Sequence, residues 1–253
     1  MLLEGKNAVI YGGAGSIGGA VARAFAREGA TVHLAGRTRE SLEQVAEAIR
    51  SAGGGAETIQ LDALDEAAVD EHAETVAVSG GLDISFNLIT HPYTHRVPLV
   101  EMDADDFMAP VQTALRSMFL TARAAARHMI GQRSGVILAF GGPGDRSGPI
   151  RDYYLGGTQV AFDAIETLRR QLAVELGEHG IRVITLESGG VPESLDQGIE
   201  GRDAIVDLIE GQTLLGRGAT LKEIGDAAAF AASDRAGAMT AATLNVSAGA
   251  LID

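Results

Sequence analysis

Four glycines fall within seven residues near the start of the chain: Gly12, Gly13, Gly15 and Gly18. They follow an apolar run, Ala8 to Tyr11, and precede an amphipathic segment, Ala20 to Glu28. That order reads as strand, tight turn and helix. The first N–H groups of a helix have no partner within it and carry partial positive charge. A pyrophosphate accepts hydrogen bonds from them when no side chain stands in the way, and glycine keeps that approach open. The residues expected to contact it are Gly12, Ser16, Ile17 and Gly18. A glycine-rich stretch alone is also compatible with an ordinary flexible turn. The strand before and the helix after make nucleotide binding the better reading.

Other side chains with chemistry to offer fall in loops. His91 and His95 lie between a strand and a helix, Tyr153 and Tyr154 follow Asp152 at a helix entrance, and Glu187 follows a strand. Each has a structural rival: a surface tyrosine, a packing histidine, a glutamate paired with an arginine. His91, His95 and Asp103 do not have the spacing of metal ligands, so no metal is expected.

The elements that must position these groups alternate along the chain. Strands are read at Ala8–Tyr11, Thr31–Gly36, Thr58–Leu61, Leu82–Ile89, Gly135–Phe140, Ile181–Leu186 and Thr243–Val246. Helices are read at Arg39–Ala52, Glu66–Val78, Asp105–Ile130, Gln159–Leu176, Asp203–Ile209 and Lys222–Ala232, besides the first. Repeated strand–helix alternation implies one α/β domain over residues 1–253: a parallel sheet, doubly wound, with helices on both faces. A hydrophobic fraction of 46% fits a sheet buried on both sides. A net charge of −14 argues against nucleic acid and anionic membranes as partners. The absence of cysteine excludes thiol chemistry, and no apolar run is long enough to span a bilayer, so a cytoplasmic protein is expected. Lysine occurs only at Lys6 and Lys222.

Taken together these residues resemble the short-chain dehydrogenase/reductase family over essentially the whole chain, which implies a Rossmann-like fold. The turn from Tyr11 to Gly18 is similar to that family's TGxxxGxG motif, with Tyr11 in place of Thr and Ser16 in place of the middle glycine. Asp62 matches the Asp expected near the adenine. Asn87 matches the first residue of the NNAG motif, whose remainder is replaced by Leu88, Ile89 and Thr90. Gly180-Ile-Arg-Val183, Ser188-Gly189 and the run from Gly216 to Gly249 resemble the family's later segments. An acidic residue after the second strand would hold ribose hydroxyls and repel a 2′-phosphate. This chain has Ala35-Gly36-Arg37-Thr38-Arg39 there, and Arg37 can pair with the phosphate. NADP(H) is therefore expected in preference to NAD(H).

The family's usual mechanism uses a tyrosine acid, a lysine four residues on, a serine and an asparagine. By this resemblance the asparagine falls on Ala114 and the serine on Gly142. Counting forward from the fifth strand puts the tyrosine near Tyr154 with Thr158 at the lysine position. Counting backward from Leu172–Leu176 puts it at Thr158, with Phe162 at the lysine position. Neither register supplies a lysine. Three readings follow. The protein is an oxidoreductase that reduces a small carbonyl, alkene or imine with NADP(H) and a displaced proton donor, Tyr154, Tyr153 or His91. Or it performs non-redox elimination, isomerisation or cyclisation, with a base from His91, Asp152 or Glu187. Or it binds nucleotide without turnover. The retained phosphate turn, Asp62 and Asn87 favour the first. The segment 188–218 corresponds to the family's substrate lid, and its acidity disfavours highly anionic substrates. The resemblance also implies a homo-oligomer, tetramer or dimer, through helices near 105–130 and 155–176. Ala122, Ala125, Ala126, Ala161 and Ala164 allow that packing, or packing inside the subunit.

Overall fold

The computed structural model describes residues 1–142 and 154–252. Tyr153 and Asp152, two of the residues with chemistry to offer, lie outside them. Seven strands are present: β1 (Asn7–Tyr11), β2 (Thr31–Gly36), β3 (Gly55–Gln60), β4 (Ile84–Asn87), β5 (Gly135–Gly141), β6 (Ile181–Glu187) and β7 (Ala242–Asn245). They alternate with α1 (Ser16–Arg27), α2 (Arg39–Ser51), α3 (Glu66–Gly80), α4 (Ala104–Gln132), α5 (Gly157–Leu176), α6 (Arg202–Gly211) and α7 (Leu221–Ala232). All the strands pair in parallel, in the order β3-β2-β1-β4-β5-β6-β7. The winding reverses between β1 and β4, and such a switch point opens a crevice at the carboxyl ends of the strands.

The alternation of side chains along β1 explains why both faces are covered. Ala8 and Ile10 join a core with Val21, Phe25, Ile224 and Ala228, under α1 and α7. Val9 and Tyr11 join a second core with Val69, Ala73, Met118, Ala125 and Ile165, under α3, α4 and α5. Successive strand residues point to opposite faces, so a strand apolar at every position is buried on both. Of the alanines read as packing positions, Ala122, Ala125, Ala126 and Ala161 are buried within the subunit and Ala164 is half-buried.

Two strand boundaries differ from the sequence reading. β4 is shorter than the apolar run Leu82–Ile89; just before it, the Asp83 carboxylate accepts the Asn7 N–H at 2.9 Å and meets Lys6 at 3.4 Å. β3 begins at Gly55 rather than Thr58. Gly53, at φ 86°, turns the chain out of α2 by itself and frees Gly55 for pairing with Thr31.

Candidate active site

The β1–α1 turn is held by backbone. The N–H groups of Gly12 and Gly13 donate to the Ala35 carbonyl at 2.8 and 3.3 Å, and Gly15 N–H donates to the Gly12 carbonyl at 3.0 Å. Gly12 has φ 83°, and a Cβ on it would overlap the Leu88 carbonyl. A Cβ on Gly18 would overlap the Gly12 carbonyl. Only glycine fits either place. Tyr11, which the resemblance puts where a loop-bracing hydroxyl is usual, braces nothing here. Its ring is buried in the second core, where burial and then the Asp70 charge raise the phenol pKa. The turn therefore has no cover from Tyr11. Gly15 caps α1 without a side-chain hydrogen bond, the first turn holds no acidic residue, and Gly15 and Ser16 are exposed while Ile17 is half-buried. The partial positive charge of the helix start has no acidic or capping side chain in its first turn to answer it.

Three further residues share this carboxyl edge. Arg37, just past β2, is exposed, and its guanidinium forms no ion pair among the described residues, while its carbonyl accepts from Gln60 Nε2 at 2.9 Å. Asp62, just past β3, is exposed and accepts the Leu64 N–H at 3.0 Å through one carboxylate oxygen. Asn87, at the end of β4, is buried: its Nδ2 donates to Thr121 Oγ1 at 3.0 Å and its Oδ1 accepts the Ile89 N–H at 3.2 Å. That pair of bonds shapes the chain as it leaves the sheet. Thr121 was not read from the sequence as part of the site, since a helical threonine facing inward carries no local mark of its partner.

Between β4, β5 and α5 the edge is lined with rings. A Cβ on Gly142, the residue after β5, would overlap the ring of Phe162 from the second turn of α5. The His91 ring meets Phe162 edge-on, with centroids 5.7 Å apart and planes at 68°. His91 Nδ1 is buried without a hydrogen bond, and burial lowers the imidazole pKa against the opposing Pro92 carbonyl. Two residues on, Tyr93 stacks on His95 at 4.5 Å. His95 Nε2 lies 3.4 Å from the hydroxyl of Thr158, in the first turn of α5 and buried. The sequence marks His91 and His95 as loop residues, but nothing local marks Tyr93 as the ring that stacks on His95. Tyr154 stands apart: 44% of it is exposed, and its carbonyl accepts the Arg96 N–H at 2.9 Å. Ala114 is buried in α4. Glu187 is buried at the end of β6 in register with Gly141. Two concavities of about 330 and 570 Å³ occur elsewhere, at the amino edge beside Lys6 and Arg182 and next to β7 beside Leu214 and Asn245. The chemistry-bearing residues described above line neither, and the switch-point edge holds the better claim.

This parallel sheet with a glycine turn at its switch point defines the class, and comparison with known proteins gives the family. Residues 12–250 match the family model described as enoyl-(acyl carrier protein) reductase. The chain is 32% identical over 243 residues to secoisolariciresinol dehydrogenase of Forsythia intermedia, covering 92% of this chain and 84% of that protein. It is 32% identical over 264 residues to (+)-cis,trans-nepetalactol synthase NEPS2 of Nepeta racemosa, covering 98% and 94%. A gluconate 5-dehydrogenase from Burkholderia cenocepacia, solved in complex with NADP and tartrate, superposes with a TM-score of 0.86 at 26% identity, covering 98% of this chain and 96% of that one. The chain belongs to the short-chain dehydrogenase/reductase family, whose members here include dehydrogenases and reductases that use nicotinamide cofactors.

Proposed function

We propose that this chain is an oxidoreductase that binds NADP(H) across the β1–β4 crevice and reduces a small carbonyl, alkene or imine with a proton donor other than the family's tyrosine. One observation carries the reading: the uncapped start of α1 lies on the same sheet edge as an unpaired Arg37. In this assignment the amides of residues 12–18 hold the pyrophosphate, Arg37 pairs with the 2′-phosphate, Asp62 stands by the adenine, and Asn87 keeps the β4 loop in place. The bound cofactor supplies hydride, and every other demand falls on the chain.

The contact between Gly142 and Phe162 favours the register that places Thr158 and Phe162 at the tyrosine and lysine positions. In that register the asparagine and serine positions are Ala114 and Gly142, and the usual catalytic set is missing. His91 is then the best-supported proton carrier among the described residues, since its Nδ1 is unbonded and its ring borders Phe162. Its lowered pKa leaves it neutral near pH 7. It donates a proton only as imidazolium, so carbonyl reduction by this route speeds up as pH falls toward that depressed pKa and slows above it. Tyr154 is the second candidate.

Calorimetric titration with NADPH and NADH tests the cofactor, with tighter NADPH binding expected. Equal or tighter NADH binding would remove the role given to Arg37. Loss of nicotinamide absorbance with a panel of carbonyl, alkene and imine compounds tests the reaction. The synthase name of the Nepeta relative favours one second reading, non-redox cyclisation or isomerisation with neutral His91 as base. Product formed without absorbance loss identifies it. The reading includes a homo-oligomer, supported by exposed Phe119 on α4 and exposed Val160 and Val174 on α5. Sedimentation at a single monomer mass would exclude it.

A further inference from the structure

We infer that the substrate is a flat iminium compound, a C=N group that enters already positively charged. The inference rests on the NADP(H) reading above and deepens it.

Three features meet at one place. The first is what the site lacks. No lysine exists between Lys6 and Lys222, and Thr158, Phe162 and Gly142 present no strong acid at the α5 end of the crevice. Reduction of a ketone leaves an alkoxide that must collect a proton. Reduction of an iminium does not: the hydride adds to carbon, the C=N π pair becomes the nitrogen lone pair, and a neutral amine results. Charge and electrons balance with NADPH as the reductant and with nothing taken from the protein.

The second feature is the lining. His91 against Phe162, and Tyr93 stacked on His95, give four rings at the mouth between the β4 loop and α5. Ring faces attract cations, and they stack on flat conjugated groups. Thr158, in contact with His95, ties the loop pair to the helix. A neutral His91 can border a cation without repelling it, and burial keeps it in that form.

The third feature is charge. Segment 188–218 holds six acidic residues, Glu193, Asp196, Glu200, Asp203, Asp207 and Glu210, against two arginines. None of the six forms an ion pair among the described residues. The segment follows Glu187 directly, and Glu187 pairs in register with Gly141, next to the ring-lined mouth. Net negative charge on the segment that leaves this edge concentrates cations and turns anions away.

The test uses the full chain with a N-methylated dihydroisoquinolinium, whose charge is fixed, and the neutral ketone tetralone, of similar shape. Binding of NADPH is measured separately by calorimetry. The iminium is expected to bind about tenfold more tightly than the ketone. It should consume NADPH at a rate that stays flat from about pH 6 to about pH 8, because no protein group titrates in the step. Phe162→Leu keeps apolar bulk and removes the ring, and should weaken the iminium about threefold to tenfold while leaving ketone binding nearly unchanged. Bound NADPH with ketone turnover and no iminium turnover overturns the inference alone. Equal weakening of both compounds by Phe162→Leu also overturns it. Failure of NADPH to bind overturns the cofactor reading, and the inference with it.

Discussion

At the β1–α1 turn, the departures from the family's motif leave backbone geometry intact, whereas at the β5–α5 junction one ring, Phe162, fills the space beside the strand end. Tyr11 in place of threonine turns into the core, and three backbone bonds hold the loop without it. Ser16 in place of glycine is exposed at the helix start. A site built from amides tolerates such changes, because each amide is set by φ and ψ and not by residue identity. A site built from side chains does not. Gly142 and Phe162 fit each other, since a Cβ on residue 142 would overlap the ring. The comparison teaches that a backbone-built turn and a side-chain-built wall of one crevice tolerate substitution differently.

The largest test strikes the backbone geometry of the turn. Gly18→Ala brings a Cβ onto the Gly12 carbonyl, so the loop must open. Dinucleotide affinity should fall about hundredfold, or about 2.8 kcal/mol, with circular dichroism confirming that the fold persists. Unchanged affinity would mean that the pyrophosphate does not sit on this turn. Next comes Arg37→Glu. It removes the charge-assisted partner of a 2′-phosphate and adds repulsion, and should weaken NADPH about tenfold to hundredfold while sparing NADH. An equal effect on both cofactors would place Arg37 outside the phosphate site.

The reaction side is sharpened by a double-mutant cycle. Gly142→Ser forces its side chain against Phe162 and should cost about 1–3 kcal/mol in urea unfolding. In the Phe162→Ala background that cost should shrink by about 1 kcal/mol or more, because the obstacle is gone. Additive losses would show that the two residues do not share the volume, and would favour the other register, with the tyrosine position near Tyr154.

The fold was legible because its signals are periodic. Alternating cores along β1 and apolar spacing along α5 follow from side-chain direction alone. Strand ends were less so: Asp83 pairs with Lys6 and Asn7 across 76 residues or more, and no local pattern marks that. The glycine turn was legible for the reason it tolerates substitution, since glycines report backbone constraint directly. On the reaction side the missing lysine could be counted, but the contact of Gly142 with Phe162 could not. Two residues twenty apart, neither unusual in its place, become informative only when the sheet brings them together. The grouping of Thr158 with His95 is hidden in the same way.

Acid offers the smallest and most selective comparison, because two histidines are buried between β2 and α3. His33 on β2 and His72 on α3 are buried, their rings 6.3 Å apart, and Nε2 of each lacks a hydrogen bond. Glu57 meets His33 Nδ1 at 3.3 Å, but burial outweighs it and the pKa of His33 is lowered. His72 is lowered to about 4, first by burial and then by His33. Above pH 6.5, roughly the pKa of a free histidine, both folded and unfolded chains are neutral here and nothing is at stake. Between there and about pH 4 the unfolded chain takes up a proton that the native chain refuses, so stability falls as pH falls. The slope from His72 is about 1.4 kcal/mol per pH unit. Urea unfolding at about pH 7 and about pH 5 should therefore show the parent losing about 2 kcal/mol more than His72→Leu, which fills the space without titrating. Parallel losses would mean that His72 is hydrated and protonates in the native state. Because β2 leads into Arg37, the same acid step should also weaken NADPH binding in the proposed site, which calorimetry at the two pH values would read.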